Sequence, residues 1–238
     1  MIRLDTDRAT LRRFASDLMA TRDGREAPPG PDLAAFDADT VEIARLGWAA
    51  RVVDEYRSVV VFSDLLHRLA DLEAPFPVLC TMHQLVGDEL RHTRACFTVV
   101  EWLGGFGDLD IDLDGLGVAV DDAPSAARVL EIVAREIVVA ETESVRVLAA
   151  YRDATSEPAI RGVLDDLLRD EVRHAAAGRE LHTVLESFLP AAQTASVREK
   201  LPAVMAAERL RLRAEYAALA VGGPGRALGV SILPGDLA

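Results

Sequence analysis

Asp88-Glu89-Leu90-Arg91-His92 returns almost unchanged as Asp170-Glu171-Val172-Arg173-His174. Each copy separates a carboxylate from an imidazole by three residues. On an α-helix that spacing sets Glu89 beside His92, and Glu171 beside His174, one turn along the same face. One such pair can grip a metal ion, and two pairs facing each other across a bundle can grip two. A single copy would read as a solvated helix surface, because Glu and Arg are common helix formers. Two copies, each preceded by a carboxylate inside an apolar seam, argue for a site.

The seams lie on helical patterns that fill most of the chain. Asp39 to about Ala70 carries the stripe Val52, Glu55, Val59, Phe62, Leu66 and Leu69, in which Glu55 is the anomaly. After the turn Ala74-Pro75-Phe76-Pro77, a second helix from about Val78 to Leu103 bears the first motif. A third, opening at Asp122-Ala123-Pro124 and running to about Asp153, has the seam Ile137, Val138, Glu141, Val145 and Leu148, again with one carboxylate. Ser156-Glu157-Pro158 caps a fourth, which bears the second motif and runs to about Phe188. Glu89 follows Glu55 by 34 residues and Glu171 follows Glu141 by 30, so one helical hairpin is used twice.

Between the hairpins lies a Gly- and Asp-rich connection, Gly104 to Ala123. Some 20 residues can stretch about 60 Å, the length of a bundle, which makes the second and third helices parallel. The expected fold is therefore all-α: a four-helix bundle over residues 32–190 with a long crossover. An N-terminal amphipathic helix (Asp7–Ala20) and a Pro/Gly linker occupy residues 1–31. A fifth helix (about Ser196–Leu219) and a tail occupy residues 191–238.

Composition narrows the partners. Acidic residues outnumber basic ones 39 to 26, for a net charge of −13, which opposes nucleic acid and anionic lipid. No apolar run approaches a membrane span, and Met1–Thr10 lacks the apolar stretch of a signal peptide. Cys80 and Cys96, on one helix, lie about 24 Å apart, beyond disulfide reach. A reduced, cytoplasmic protein is expected.

Glu55, Glu89, His92, Glu141, Glu171 and His174 thus give four carboxylates and two imidazoles at mid-helix depth. Left unpaired, buried carboxylates cost several kcal/mol each or take up protons. Two divalent cations cancel four negative charges. Oxygen-rich donors with one imidazole per ion suit iron or manganese, including a mixed pair, better than zinc or copper(I). A ligating imidazole usually gives its other N–H to an acceptor, so Asp88 is expected to receive His174, and Asp170 to receive His92.

This pattern resembles the ferritin-like di-iron carboxylate superfamily, over about Asp39 to Leu185. Its ligand order, a Glu, a Glu-x-x-His, a Glu and a second Glu-x-x-His, falls on Glu55, Glu89/His92, Glu141 and Glu171/His174; Glu141-Thr142 adds to the likeness. The resemblance implies two iron ions, sometimes manganese, that react with dioxygen or peroxide. Within the family, a rubrerythrin-like peroxidase needs four cysteines for its rubredoxin module. A radical-storing subunit needs a Tyr near the metals, whereas Tyr56 points off its face and Tyr151 and Tyr216 are far along their helices. The acidic balance disfavours a tRNA hydroxylase.

The contest is between an oxygenase, oxidase or desaturase of a small organic molecule and a ferroxidase or peroxide-scavenging iron protein. The extra terminal elements favour the first, since they can close over a substrate. Two external electrons would then come from an electron-donor protein or the substrate, and a homodimer is a fair expectation. Leu85, Cys96, Leu167 and Gly178, one turn from the ligands, are candidate pocket walls; ordinary packing, and for Gly178 a close helix contact, is the competing and stronger reading. His67, His83 and His182 do not extend the ligand set. Arg51, one turn before Glu55, is placed to greet an anionic substrate or to make a helix-end ion pair.

Overall fold

The computed structural model describes residues 30–107, 116–117, 125–220 and 222–237. The expected helix at Asp7–Ala20, most of the linker after it and most of the connection between the hairpins lie outside these residues. Among the described residues there are five long helices and no strand.

Helix α1 (Ala38–Asp71) starts where Asp37 accepts hydrogen bonds from the Thr40 amide at 2.8 Å and its hydroxyl at 2.9 Å. Its buried residues include Trp48, Val61, Phe62 and Leu65, so the inward stripe also takes in Val61 and Leu65, while Val59 and Leu66 are only partly buried. Helix α2 (Phe76–Trp102) opens with Pro77 in its first turn, where a missing N–H costs nothing. Helix α3 comes in three pieces: Ser125–Ile132, a π-helical stretch Val133–Val139, and Ala140–Ala154. Helix α4 (Pro158–Phe188) is capped by the Glu157 carboxylate, which accepts the Ile160 amide at 2.8 Å.

Helix α5 (Ala191–Leu219) begins five residues earlier than its pattern suggested. Pro190 presets the entry, and Ala191 and Ala192 propagate the helix at once. Pro202 therefore falls inside α5 rather than at its start.

α1 packs on α2, α3 on α4, and α2 faces α4. The core divides into two clusters. One joins Trp48 and Val52 to Cys96, Val99, Leu148, Tyr151 and Leu164; the other joins Phe62 and Leu69 to Val78, Met82, Val129, Ile137 and Leu185. The end of α2 thus meets the end of α3, and their starts share the opposite cluster, so the two helices run parallel. The end of α2 and the start of α3 therefore lie at opposite ends of the bundle, about 40 Å apart for a helix the length of α2. Each large side chain fully buried in these clusters contributes about 1.5–3 kcal/mol.

The C-terminal tail closes the first cluster. Leu228, Ile232 and Leu237 enter it, Trp48 donates its indole N–H to the Leu228 carbonyl at 2.8 Å, and the Ser156 and Glu157 amides donate to the Ala227 carbonyl at 3.2 and 3.1 Å. Helix α5 lies along α3 and buries only Thr194, Leu201, Glu208 and Leu212. Ions make up the rest of its hold: Arg213 grips the buried Glu143 of α3 through two bonds of 3.0 and 2.9 Å, and Arg135 of α3 meets Glu208 at 3.1 Å.

Candidate metal centre

Between the two apolar clusters the interior turns polar. Glu89 and His92 project from α2, Glu171 and His174 from α4, all four are buried, and one donor atom from each falls within 4.8 Å of the others. This buried Glu-His-Glu-His cluster can hold a metal ion and is compatible with a di-iron carboxylate site.

The remaining two carboxylates sit at its sides. Glu55, buried on α1, approaches His92 Nδ1 at 3.5 Å; Glu141, buried on α3, approaches His174 Nδ1 at 3.8 Å. Glu89 lies 3.7 Å from His92 Nδ1 and 3.0 Å from His174 Nδ1, and Glu171 lies 3.2 and 3.8 Å from the same atoms. Glu89 and Glu171 therefore sit between the two imidazoles, while Glu55 and Glu141 each serve one. All six residues singled out by the motifs come together.

The outward nitrogens are held as well. His92 Nε2 lies 3.3 Å from Asp170, and His174 Nε2 lies 3.1 Å from Asp88, each across the α2–α4 interface. In the neutral ring that a metal would select, an Nε2–H donating to a carboxylate leaves the Nδ1 lone pair facing the centre. Arg91 lies 2.5 Å from Asp88 and 3.1 Å from Asp170, and Arg173 pairs with Asp170 and lies 3.6 Å from Asp88. The Arg of each motif thus anchors the carboxylates behind both imidazoles. Sequence reasoning gave these arginines no role, although their repetition beside the ligands was the signal.

The electrostatics are those of a crowded carboxylate cage. Burial, with Glu89 nearby, pushes Glu55 up to about 7, and burial beside Glu141 pushes Glu171 up to about 8. Burial disfavours charged imidazoles, yet Glu171, Glu55 and Glu89 overcome it and raise His92 far above its ordinary value. Glu141 and Glu89 likewise raise His174 to about 11. Asp170 moves the other way: burial is outweighed by His92 and Arg173, and its carboxyl is held below the usual range.

The donor set fits metal better than protons alone. Glu89 Oε1, Glu171 Oε2, His92 Nδ1 and His174 Nδ1 are all cut off from water and lack well-directed hydrogen bonds, although Glu89 Oε1 and His174 Nδ1 lie 3.0 Å apart. Buried donor atoms that face one another without proper hydrogen-bond geometry are a cost that a bound cation would remove.

Glu141 reaches the cluster by an unusual route. In the π-helical stretch before it, the Ala140 amide bonds back to the Arg135 carbonyl, five residues away. The widened turn presses on α4 at Gly178, where a Cβ would stand 2.7 Å from Ile137 Cγ2 and 3.1 Å from its carbonyl carbon. Gly178 therefore lines no pocket; it admits the bulged backbone. Leu85 belongs to the second core cluster, and Cys96 and Leu167 to the first. The Cys96 thiol, fully buried with Glu55 nearby, is pushed well above its ordinary value.

The expectation that Tyr216 lies far from the site needs correction. Helix α5 folds back along α3, so distance along the helix misleads. Tyr216 packs on the first cluster, and its hydroxyl is pushed up by burial and then by the charges of Asp54 and Glu141. Glu143, two residues beyond Glu141 and gripped by Arg213, was also not singled out.

No family model, no curated protein and no solved structure matches the chain. Among the described residues, no helix is long and apolar enough to cross a membrane.

Proposed function

We propose that the chain is a ferritin-like di-iron protein that uses dioxygen to oxidise a small organic molecule. The observation that carries this reading is the pair of buried Nδ1 atoms with two carboxylates between them and one at each side. Iron held there would supply redox electrons and open coordination positions for dioxygen. Glu55, Glu89, His92, Glu141, Glu171 and His174 would hold the ions. Asp88 and Asp170 would keep both imidazoles in the ligating tautomer.

An oxidase is favoured over an iron store by what surrounds the centre. The tail and α5 seal the first cluster and the outer side of α3, which suits a reaction kept from bulk water. A redox partner protein would replace the electrons consumed.

The test is anaerobic titration with Fe(II), followed by exposure of each sample to dioxygen while absorbance is recorded. Oxidation that saturates at about two irons per chain is expected. Uptake far beyond that, with mineral-like absorbance, would establish a ferroxidase or store instead. No saturable oxidation with iron, but tight uptake of manganese, would move the reading to a manganese centre.

A further inference from the structure

The geometry points to Arg51 as the anchor for the carboxylate of an apolar monocarboxylic acid, bound on the Glu55 side of the centre. This names a substrate class for the oxidation proposed above and rests on that reading.

Arg51 stands one turn before Glu55 on α1, about 6 Å along the helix. Its guanidinium lies between two rings, 4.3 Å from the centre of Trp48 and 4.6 Å from that of Tyr151. One arm, Nη2, donates to the Gly229 carbonyl of the tail at 3.2 Å. The other, Nη1, is cut off from water and has no acceptor. A guanidinium without an acceptor for a buried N–H is costly, and the two rings preorganise it as a flat, immobile cation. Such a group is shaped to receive a carboxylate oxygen.

The other half of the bundle sharpens the point. Four residues before Glu141 stands Ile137, and four after His174 stands Gly178, and these two are packed against each other. In the first half the corresponding positions are Arg51 and Cys96. Where one side is closed by aliphatic packing, the other keeps an unsatisfied cation and a small thiol. Cys96 shares its apolar cluster with Trp48 and Tyr151, the two rings that flank the guanidinium.

The charge available sets the class. Arg51 is a single cation with one arm already used, and Asp54 is close enough to feel its charge. That favours a monoanion over a phosphate dianion. Val52, Cys96 and Leu148 lie in the same apolar cluster as the two rings that flank Arg51 and offer no second polar partner. A ligand with its carboxylate on Arg51 would lay an apolar body along that wall toward Glu55.

The probe is octanoate, with octanamide as its neutral counterpart. Of the two tryptophans, Trp102 is replaced (Trp102→Phe), so that emission reports Trp48 alone. Saturable quenching by octanoate, at least about tenfold tighter than by octanamide, is expected in the full-length chain with and without Mn(II). Arg51→Met should remove that preference, and Arg51→Lys should restore part of it, while both keep the parental metal stoichiometry. Equal affinity for the acid and the amide overturns the proposal without any variant, as does undiminished octanoate binding in Arg51→Met. Failure of the parent chain to take up two metals would remove the oxidase reading alone, because the octanoate preference is read on the metal-free protein too.

Discussion

The two hairpins bring the same donors to one centre on different backbones. In α1 the helix runs regularly through Glu55, whereas in α3 a π-helical stretch ends at Val139, two residues before Glu141. One residue inserted into a helical turn rotates everything after it by about 100°. The two carboxylates nevertheless take matching places beside His92 and His174. The contrast continues one turn after each histidine: Cys96 fills its position with a side chain, and Gly178 leaves its own to the bulged backbone of Ile137. Near-symmetry of the donors therefore coexists with asymmetry of the walls. Under the function proposed above, the first would suit two equivalent metals and the second a single substrate.

The symmetric part of this comparison breaks hardest at the ligands between the imidazoles. Glu89→Gln or Glu171→Gln removes a carboxylate that approaches both Nδ1 atoms, and uptake should fall below one metal per chain. Glu55→Gln or Glu141→Gln removes a carboxylate from one side only and should leave one metal. Affinity losses in all four should exceed the roughly 10–100-fold typical of losing an outer partner, which is the loss expected for Asp88→Asn or Asp170→Asn. Calorimetric titration with Mn(II) measures both quantities. Equal stoichiometry in the Glu89 and Glu55 variants would sink the distinction between shared and one-sided ligands.

Protons and metals compete for this cage, which gives the next effect. Glu55 at about 7 and Glu171 at about 8 lie above the ordinary carboxylate value, so their contribution to stability is complete below that ordinary value and is lost progressively until pH has passed 7 and 8. His174, raised to about 11, contributes stability that is complete below the ordinary imidazole value and is lost progressively as pH rises toward 11, and Asp170, held low, is fully ionised throughout. The melting temperature of the metal-free chain should therefore fall between pH 6 and 8.5. Metal binds the deprotonated donors, so the increment from saturating Mn(II) should grow over the same interval. Thermal melts with and without Mn(II) read both trends. A metal increment independent of pH would show that these carboxylates are not displaced from protons by the ion.

Much of this was legible before any coordinates. The first, second and fourth helices begin and end within a few residues of the expected positions, because Asp37, Glu157, Pro158 and Pro190 act through local chemistry, while the expected opening of the third at Asp122-Ala123-Pro124 lies outside the described residues. The six donors were legible because a polar side chain inside an apolar seam is rare, and here each occurs at matching spacing. What escaped depends on tertiary packing. A π turn leaves no distinctive mark among Val133, Ala134 and Ile137, which suit a regular helix equally well. Gly178 is legible as a close helix contact, but the bulged backbone that fills it belongs to another helix and is not. Tyr216 and Glu143 gained their surroundings only when α5 folded back along α3.

The smallest effect isolates that packing. Gly162 and Gly178 lie on the same helix, α4, but a Cβ at Gly162 meets nothing within 4 Å, and one at Gly178 would meet Ile137 side chain and backbone. Replacing a helical glycine by alanine in open space should stabilise by about 0.5–1 kcal/mol, because the unfolded chain loses freedom. Gly162→Ala should show that gain. At Gly178 the same intrinsic gain meets a backbone carbonyl carbon that cannot swing aside, and overpacking of about 1–3 kcal/mol should outweigh it. The sign of the change in denaturation midpoint, opposite at the two positions, is the measurement. If Gly178→Ala stabilised the chain as Gly162→Ala does, the π turn would not be seated on α4, and the difference between the two halves would not arise from this contact. If it destabilises and also weakens Mn(II) binding more than an equally destabilising change in the Glu55 half, the bulge is what holds Glu141 at the centre.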